Sequence, residues 1–518
     1  MSEHLLSTIT FLPLLGMAML LFIPRDNEPL LKSFTLIVTL LTFCISLPLA
    51  FNDVFTTSGG MHYTEFAEWI HIGDFFQMNY NVGIDGISLW LVLLTTFIMP
   101  IAVLSTWKAV DKNVKGFMAL LLLLETGMLG AFISLDLFLF YIFWELMLIP
   151  MYFLIGIWGG KNRIYAAVKF FIYTAVGSLL MLVAIIFIYY YAQQSGLDTN
   201  GFSIAQFYQM SVPADAQIWL FLAFAFSFAI KVPMFPLHTW LPDAHTEAPT
   251  AGSVVLAAVL LKMGTYGFVR FAMPLFPQAL DTCMPYLATL CVIGIIYGSL
   301  VAMVQTDVKR LVAYSSVAHL GFVMLGIFAL NLQGMAGGLL QMINHGITTG
   351  ALFLIVGFLY ERRHTREISE FGGLAKQMPI FAVIFMIVTF SSIGLPGTNG
   401  FVGEFLILVG AFESELRWYA VFATTGVILA AVYMLWMFQR VMFGELNNPK
   451  NAVLKDLSIR EIVIMAPLLV FIFWIGIYPN VFFDKMNPAL ENLIQQIDGK
   501  QQVAMVQQID ASKHIVIK

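Results

Sequence analysis

Residues 230–275 read IKVPMFPLHTWLPDAHTEAPTAGSVVLAAVLLKMGTYGFVRFAMPL. Pro233, Pro236 and Pro242 interrupt an otherwise helical apolar run beside Lys231, and the apolar run that follows carries Lys262 near its centre. At 1.5 Å per residue, about eleven residues place Lys262 about 16 Å into a hydrocarbon core about 30 Å thick. Proline removes a backbone donor and clashes with the preceding turn. Broken backbone and charge survive in lipid only where protein or a water-filled cavity satisfies them. This stretch therefore predicts a membrane bundle with a polar interior.

The rest of the chain agrees. Of 518 residues, 59% are hydrophobic and 11% charged, and the mean hydropathy is +0.85, far outside the range of water-soluble domains. Cys44, Cys283 and Cys291 lie in apolar stretches at spacings that suit no zinc, haem or iron–sulfur site. There is no G-x-G-x-x-G and no G-x-x-x-x-G-K-[ST], so no dinucleotide or nucleotide site is expected. A net charge of −5 without a long basic run argues against nucleic-acid binding. The 47 Phe and 28 Met read as lipid-facing and helix-packing surface rather than a quinone site.

Apolar runs of about 20 residues give fourteen spans, near residues 4–23, 32–50, 83–106, 115–132, 135–157, 166–191, 217–245, 251–275, 283–304, 310–330, 336–360, 378–412, 418–442 and 461–482. The first lacks a cationic leader and reads as a retained span. Arg25, Lys32, Lys108, Lys112, Lys115, Lys161, Arg163, Lys309, Arg310, Arg362, Arg363, Arg366, Arg440 and Lys450 then fall on one side, expected to be cytoplasmic. The opposite loops, 52–81 and 193–217, hold no lysine or arginine, which puts both termini on the outer side.

Span twelve repeats the interruption of span seven, through Gly394, Pro396, Gly397 and Gly400. Paired broken helices point to inverted repeats around an ion path. The expected organisation is a three-span flank over 1–114, a first five-span repeat over 115–275 and a second over 276–442. A last span and an exterior C-terminal tail or docking segment complete it over 443–518.

The candidate proton-transfer residues are Glu145, in LFYIFWELMLIPMYF, with Lys231, Lys262 and Glu404, and the histidines His238, His319 and His345. Burial and opposite charge shift carboxyl and lysine pKa values in contrary senses, so moving a partner can release or capture a proton. One hypothesis pairs Glu145 with Lys231 and passes the proton to Lys262 and on to Glu404. The bland alternative is that each is a satisfied structural contact. Glu125 and Asp136 are balanced between the two readings.

Four stretches carry a resemblance: FYIFWELMLIPMYFLIGIWGG, KVPMFPLHTWLPDAHTEAPTAGSVVLAAVLLKMGTYG, QTDVKRLVAYSSVAHLGFV and GLPGTNGFVGEF. They resemble the antiporter-like membrane subunits of proton-pumping NADH:quinone oxidoreductase, respiratory complex I, across essentially the whole chain. The resemblance implies an all-α membrane fold of about fourteen helices, with spans seven and twelve discontinuous. It implies Glu145, Lys231, Lys262 and Glu404 as proton-transfer positions and no cofactor in this chain. NADH, FMN, iron–sulfur clusters and quinone would belong to other subunits, and the partners would be other membrane subunits, related antiporter-like chains among them. Most relatives carry lysine where Glu404 stands, and a glutamate there resembles the chain M type, counterpart of mitochondrial chain 4. A multisubunit sodium/proton antiporter, a hydrogenase-linked complex and a membrane scaffold are the rival functions. The expected location is a bacterial plasma membrane.

Overall fold

The computed structural model describes residues 4–73, 76–196 and 201–516, with side chains to residue 502. Among the described residues, twelve helices are long and apolar enough to cross a membrane. The shorter apolar helices Leu5–Leu20 and Pro379–Ser392 occupy the expected places of spans one and twelve. Span seven is interrupted between Ala214–Lys231 and Trp240–Glu247, and span twelve between Pro379–Ser392 and Asn399–Glu413. The chain is an all-α integral membrane protein.

Burial sorts the spans into shells. The apolar lengths of span eight (Thr250–Leu275) and span eleven (Leu332–Arg363) are wholly buried, whereas Glu28–Phe51 and Ile459–Ile477 bury only a third of theirs. A helix that is apolar all round and buried is a core helix, and one exposing Ile, Val and Phe is a lipid-facing helix. The two central spans are also the ones carrying Lys262 and His345.

Three features were not legible as the sequence suggested. First, the loop at 52–81 contains an antiparallel hairpin, β1 (His62–Ile72) and β2 (Phe76–Ile84). Its buried Glu65 accepts the backbone N–H of Leu6 at 2.7 Å and so caps span one, where the helix dipole favours a carboxylate. Second, the C-terminal stretch, expected as an exterior tail or docking segment, is a helix, Asn480–Val516. Phe482, Met486, Leu490, Leu493 and Ile497 form a buried stripe at helical spacing, and Lys485 Nζ donates to the Asn52 carbonyl at 2.6 Å. Third, span eight contains two π-helical turns, Leu256–Leu260 and Phe268–Ala272, on either side of Lys262.

Several of the cations used for orientation are engaged at span ends. Lys32 Nζ donates to the Val110 carbonyl, Lys115 to those of Leu21 and Ile23, Lys309 to Ala248 and Arg366 to Thr246. They satisfy the orphan carbonyls that every helix C-terminus leaves.

Spans eleven and twelve approach with backbone in contact. A Cβ at Gly410 would lie 2.3 Å from the Gly334 nitrogen and 2.4 Å from its Cα, so small residues are required at this crossing. Gly410→Leu should destabilise the bundle by about 1–3 kcal/mol or more, the cost of overpacking. The measurement is the thermal unfolding midpoint of the detergent-extracted protein, which should fall clearly, while Gly499→Leu, where nothing lies within 4 Å, should leave it in place.

Candidate functional site

Glu145 ends the first half of span five, because the helix is interrupted between Leu146 and Leu148. Pro150 lacks the N–H that would bond the Leu146 carbonyl, which accounts for the local break. The Glu145 Oε1 atom is buried without a hydrogen-bond partner. Its neighbour Trp144 presents its ring to Lys231, whose Nζ stands 4.9 Å from the ring centroid and 5.9 Å from that of Phe170. Lys231 is the last helical residue before the break of span seven. Among the described residues no carboxylate lies within 4.0 Å of it, so Glu145 and Lys231 form no bonded ion pair.

The break is held locally. Trp240 Nε1 donates to the Ile230 carbonyl at 2.9 Å and the Met234 N–H reaches the Ala229 carbonyl at 2.8 Å. Span eight crosses here: a Cβ on Gly264 would lie 2.6 Å from the Phe228 oxygen and 2.8 Å from the Val232 nitrogen. Lys231 and Lys262 thus flank one close helix crossing, each one or two residues from it.

Lys262 is wholly buried. Its Nζ donates to the Ala257 carbonyl at 2.5 Å and meets His345 Nδ1 at 2.6 Å. Ala257 lies five residues earlier, inside the first π-turn. A π-turn is the kind of helix irregularity found at functional sites, and here one of its carbonyls bonds the ammonium.

From His345 the run continues. Its Nε2 has no partner among the described residues, and its ring centre lies 6.1 Å from that of His319. A small cavity lined by His319, Asn344, His345, Thr348 and Ser392 lies beside them, with room for about one water molecule. His319 Nδ1 is 2.9 Å from Glu404 Oε1, and the same oxygen accepts Gln341 Nε2 at 3.1 Å. The structure therefore brings Lys262, His345, His319 and Glu404 into one buried row, with Lys231 and Glu145 beyond the helix crossing.

His238 stands apart from this row. It stacks on Phe235 at 5.7 Å and meets Tyr297 edge-on, with its Nδ1 unpartnered. Asp136 is a helix cap, accepting the N–H groups of Phe138 and Leu139 at 3.0 Å and of Phe202 at 3.1 Å. Glu125 is fully buried, and neither carboxyl oxygen has a partner among the described residues.

Sequence reasoning missed the polar stripe of span eleven. Gln341, Asn344, His345 and Thr348 share one face at helical spacing, a signal the sequence carries. Asn344 Nδ2 donates to the Asn399 carbonyl at 2.7 Å, and Ser391 Oγ bonds Asn399 Oδ1 at 2.5 Å and Thr348 Oγ1 at 2.7 Å. Asn344 thus satisfies a backbone carbonyl, and the side chains bond one another, at the opening of span twelve, where Gly394 and Gly397 take φ of +73° and +90°. His245 was also missed; it is fully buried and stacked on Phe353 at 4.5 Å. Among the described residues, no group of three or more His, Cys, Asp or Glu gathers to hold a metal.

Glu404 accepts two buried donors on one oxygen, whereas Glu145 Oε1 has no partner among the described residues. Glu404→Ala should therefore cost about 1–3 kcal/mol through the donors left unpaired, seen as a lowered unfolding midpoint of the extracted protein. Glu145→Gln should leave that midpoint nearly unchanged, within roughly 0.5 kcal/mol.

Residues 134–430 match the family described as NADH:quinone oxidoreductase/Mrp antiporter, TM, and residues 8–131 match the amino terminus of NADH-ubiquinone oxidoreductase chain 4. The chain is 48% identical over 505 residues to NADH-quinone oxidoreductase subunit M of Rhodobacter capsulatus, covering 95% of this chain and 97% of that one. It is 45% identical over 493 residues to NADH-ubiquinone oxidoreductase chain 4 of Marchantia polymorpha, with 95% and 97% covered. Among solved structures it superposes on a chain of respiratory complex I from Thermus thermophilus with bound NADH, with a TM-score of 0.85, 32% identity and 95% and 99% of the two chains covered.

Proposed function

The chain belongs to the NADH:quinone oxidoreductase/Mrp antiporter transmembrane family, and from that premise we propose that it is the M-type membrane subunit of a proton-pumping NADH:quinone oxidoreductase, passing protons between Lys231, Lys262, His345, His319 and Glu404. The observation that carries the reading is the contact run from Lys262 on span eight through His345 on span eleven and His319 on span ten to Glu404 on span twelve. Intramembrane charges in contact with one another mark proton relays.

The chemistry follows from donors and acceptors. A protonated Lys262 donates to His345 Nδ1, whose lone pair accepts, leaving the ring proton on Nε2. Proton transfer to Nδ1 and release from Nε2 moves charge across the ring. The two imidazoles are close enough for one water to bridge them. His319 then delivers to Glu404 through its Nδ1. Glu145 sets the charge balance at Lys231: with no bonded pair to break, a small displacement of span five changes how well the ammonium is stabilised.

In this reading the energy comes from redox chemistry elsewhere: NADH, FMN, iron–sulfur clusters and quinone belong to other subunits. Membrane neighbours, related antiporter-like chains among them, transmit the coupling. The protein sits in a bacterial plasma membrane, with the cationic span ends facing the cytoplasm and both termini outside. Two inverted five-span units, 115–275 and 276–442, are supported by the interruptions of spans seven and twelve and the titratable groups beside them, Lys231 and Glu404.

Glu145→Gln in membranes carrying the assembled complex tests this. A positioned acid–base group contributes roughly 10²–10⁴-fold in enzymes, so NADH-driven acidification of inside-out vesicles, per unit of NADH:ferricyanide activity, should fall about tenfold or more. Unchanged acidification per assembled complex would remove Glu145 from the proton machinery.

A further inference from the structure

A second polar run leaves Lys262 toward the side that bears the termini. Lys262, Tyr266 and Arg270 follow at four-residue intervals along span eight, a rise of about 6 Å per step. Arg270 Nε donates to the Tyr266 hydroxyl at 3.2 Å, and its guanidinium bonds Asp85 Oδ1 at 2.6 Å. Both members of that ion pair are about 96% buried. Asp85 is the N-cap of span three, accepting the Ile87 and Ser88 N–H groups at 3.0 Å. Beyond Arg270, Tyr208 donates to the Arg270 carbonyl at 2.5 Å. Tyr208 also lines a cavity of about 340 Å³ with Gln209, Gln217, Gln278, Gln495 and Lys500. A polar vestibule thus reaches from that surface to within two side chains of the central lysine.

What separates the two is chemically a dead end. A guanidinium has five donors, no acceptor, and stays protonated, so it cannot take a proton arriving from the vestibule. The Tyr266 hydroxyl accepts from Arg270 and donates to the Phe132 carbonyl at 2.9 Å. The Tyr208 hydroxyl likewise spends its proton on a carbonyl. Both tyrosine hydroxyls are thus aimed at carbonyl oxygens, which cannot pass a proton on. The second π-turn, Phe268–Ala272, contains Arg270 and sets it at this position.

We propose that the Asp85–Arg270 pair, with Tyr266 and Tyr208, is the outer seal of the proton row, keeping protons of the outer vestibule from returning to Lys262. It rests on the reading of Lys262 as a proton carrier and assigns Asp85 and Arg270 as positioning residues rather than members of the row. Fixed cationic side chains that exclude protons are a known device of membrane pores.

The test uses the assembled complex in liposomes, with no NADH and no quinone, and follows the decay of an imposed pH step with an internal pH dye. Asp85→Asn keeps a capping oxygen for Ile87 and Ser88 but releases the guanidinium; Arg270→Gln replaces a donor-only group with one that also accepts. NADH:ferricyanide activity normalises for assembly. In either variant the pH step should decay severalfold faster than in the unmodified complex, and adding Lys262→Met should return decay to the unmodified rate. Unchanged decay overturns the seal, and so does faster decay that persists with Lys262→Met, which would be loosened packing. The assay involves no turnover, so its failure is distinct from failure of the Glu145→Gln experiment.

Discussion

Hydrocarbon offers no partner to a backbone N–H, a carbonyl or a charge, and the interior of this bundle is organised around that constraint. Opening a helix in the membrane exposes groups that other side chains must meet. At span twelve the Asn399 carbonyl is met by Asn344, and at span seven the Ile230 carbonyl is met by Trp240 and the Ala229 carbonyl by the Met234 N–H in a widened turn. The same constraint puts Lys262 on a carbonyl offered by a π-turn. At span twelve the backbone repair and the polar row share a wall, since Asn344, Thr348 and Ser391 line the cavity beside His319 and His345.

The two halves of the row differ in how firmly their groups are held. His319 and Glu404 are bonded directly, with Gln341 as a second donor, so protonation of one is felt at once by the other. Lys231 instead lies over the ring of Trp144, the neighbour of Glu145, with no carboxylate within 4.0 Å among the described residues. In a low-dielectric interior an unbonded charge pair is strongly dependent on distance. A device driven by movement of neighbouring helices needs such a loosely held junction at one end and a tight one at the other.

Glu145, Lys231, Lys262 and Glu404 were legible because each is a single charge inside a long apolar run, an energetic anomaly that composition alone exposes. The uncharged partners were not, because Gln, Asn, Ser and Thr are tolerated in spans for many reasons and only their stripe along span eleven distinguishes them. His238 looked equivalent to His319 and His345 along the chain, yet it falls among Phe235, Tyr297 and Tyr314, away from the row. The hairpin was hidden because neither strand alternates cleanly between buried and exposed residues, and the C-terminal helix because its net polarity masks a one-sided apolar stripe.

The sequence by itself determined that the chain crosses a membrane many times, where spans seven and twelve are interrupted, and that charged groups lie at depth. Those properties follow from local composition, because transfer into lipid is a sum over neighbouring residues and proline acts on its own turn. The tertiary structure alone decided which groups touch: Lys262 with His345, His319 with Glu404, and Asp85 with Arg270, the last two pairs 85 and 185 residues apart in the chain. Such pairings depend on how helices rotate and cross. Their crossings are set by close backbone contacts at Gly264, Gly334 and Gly410, and by the register shift of the π-turns, for which the sequence carries no local signal.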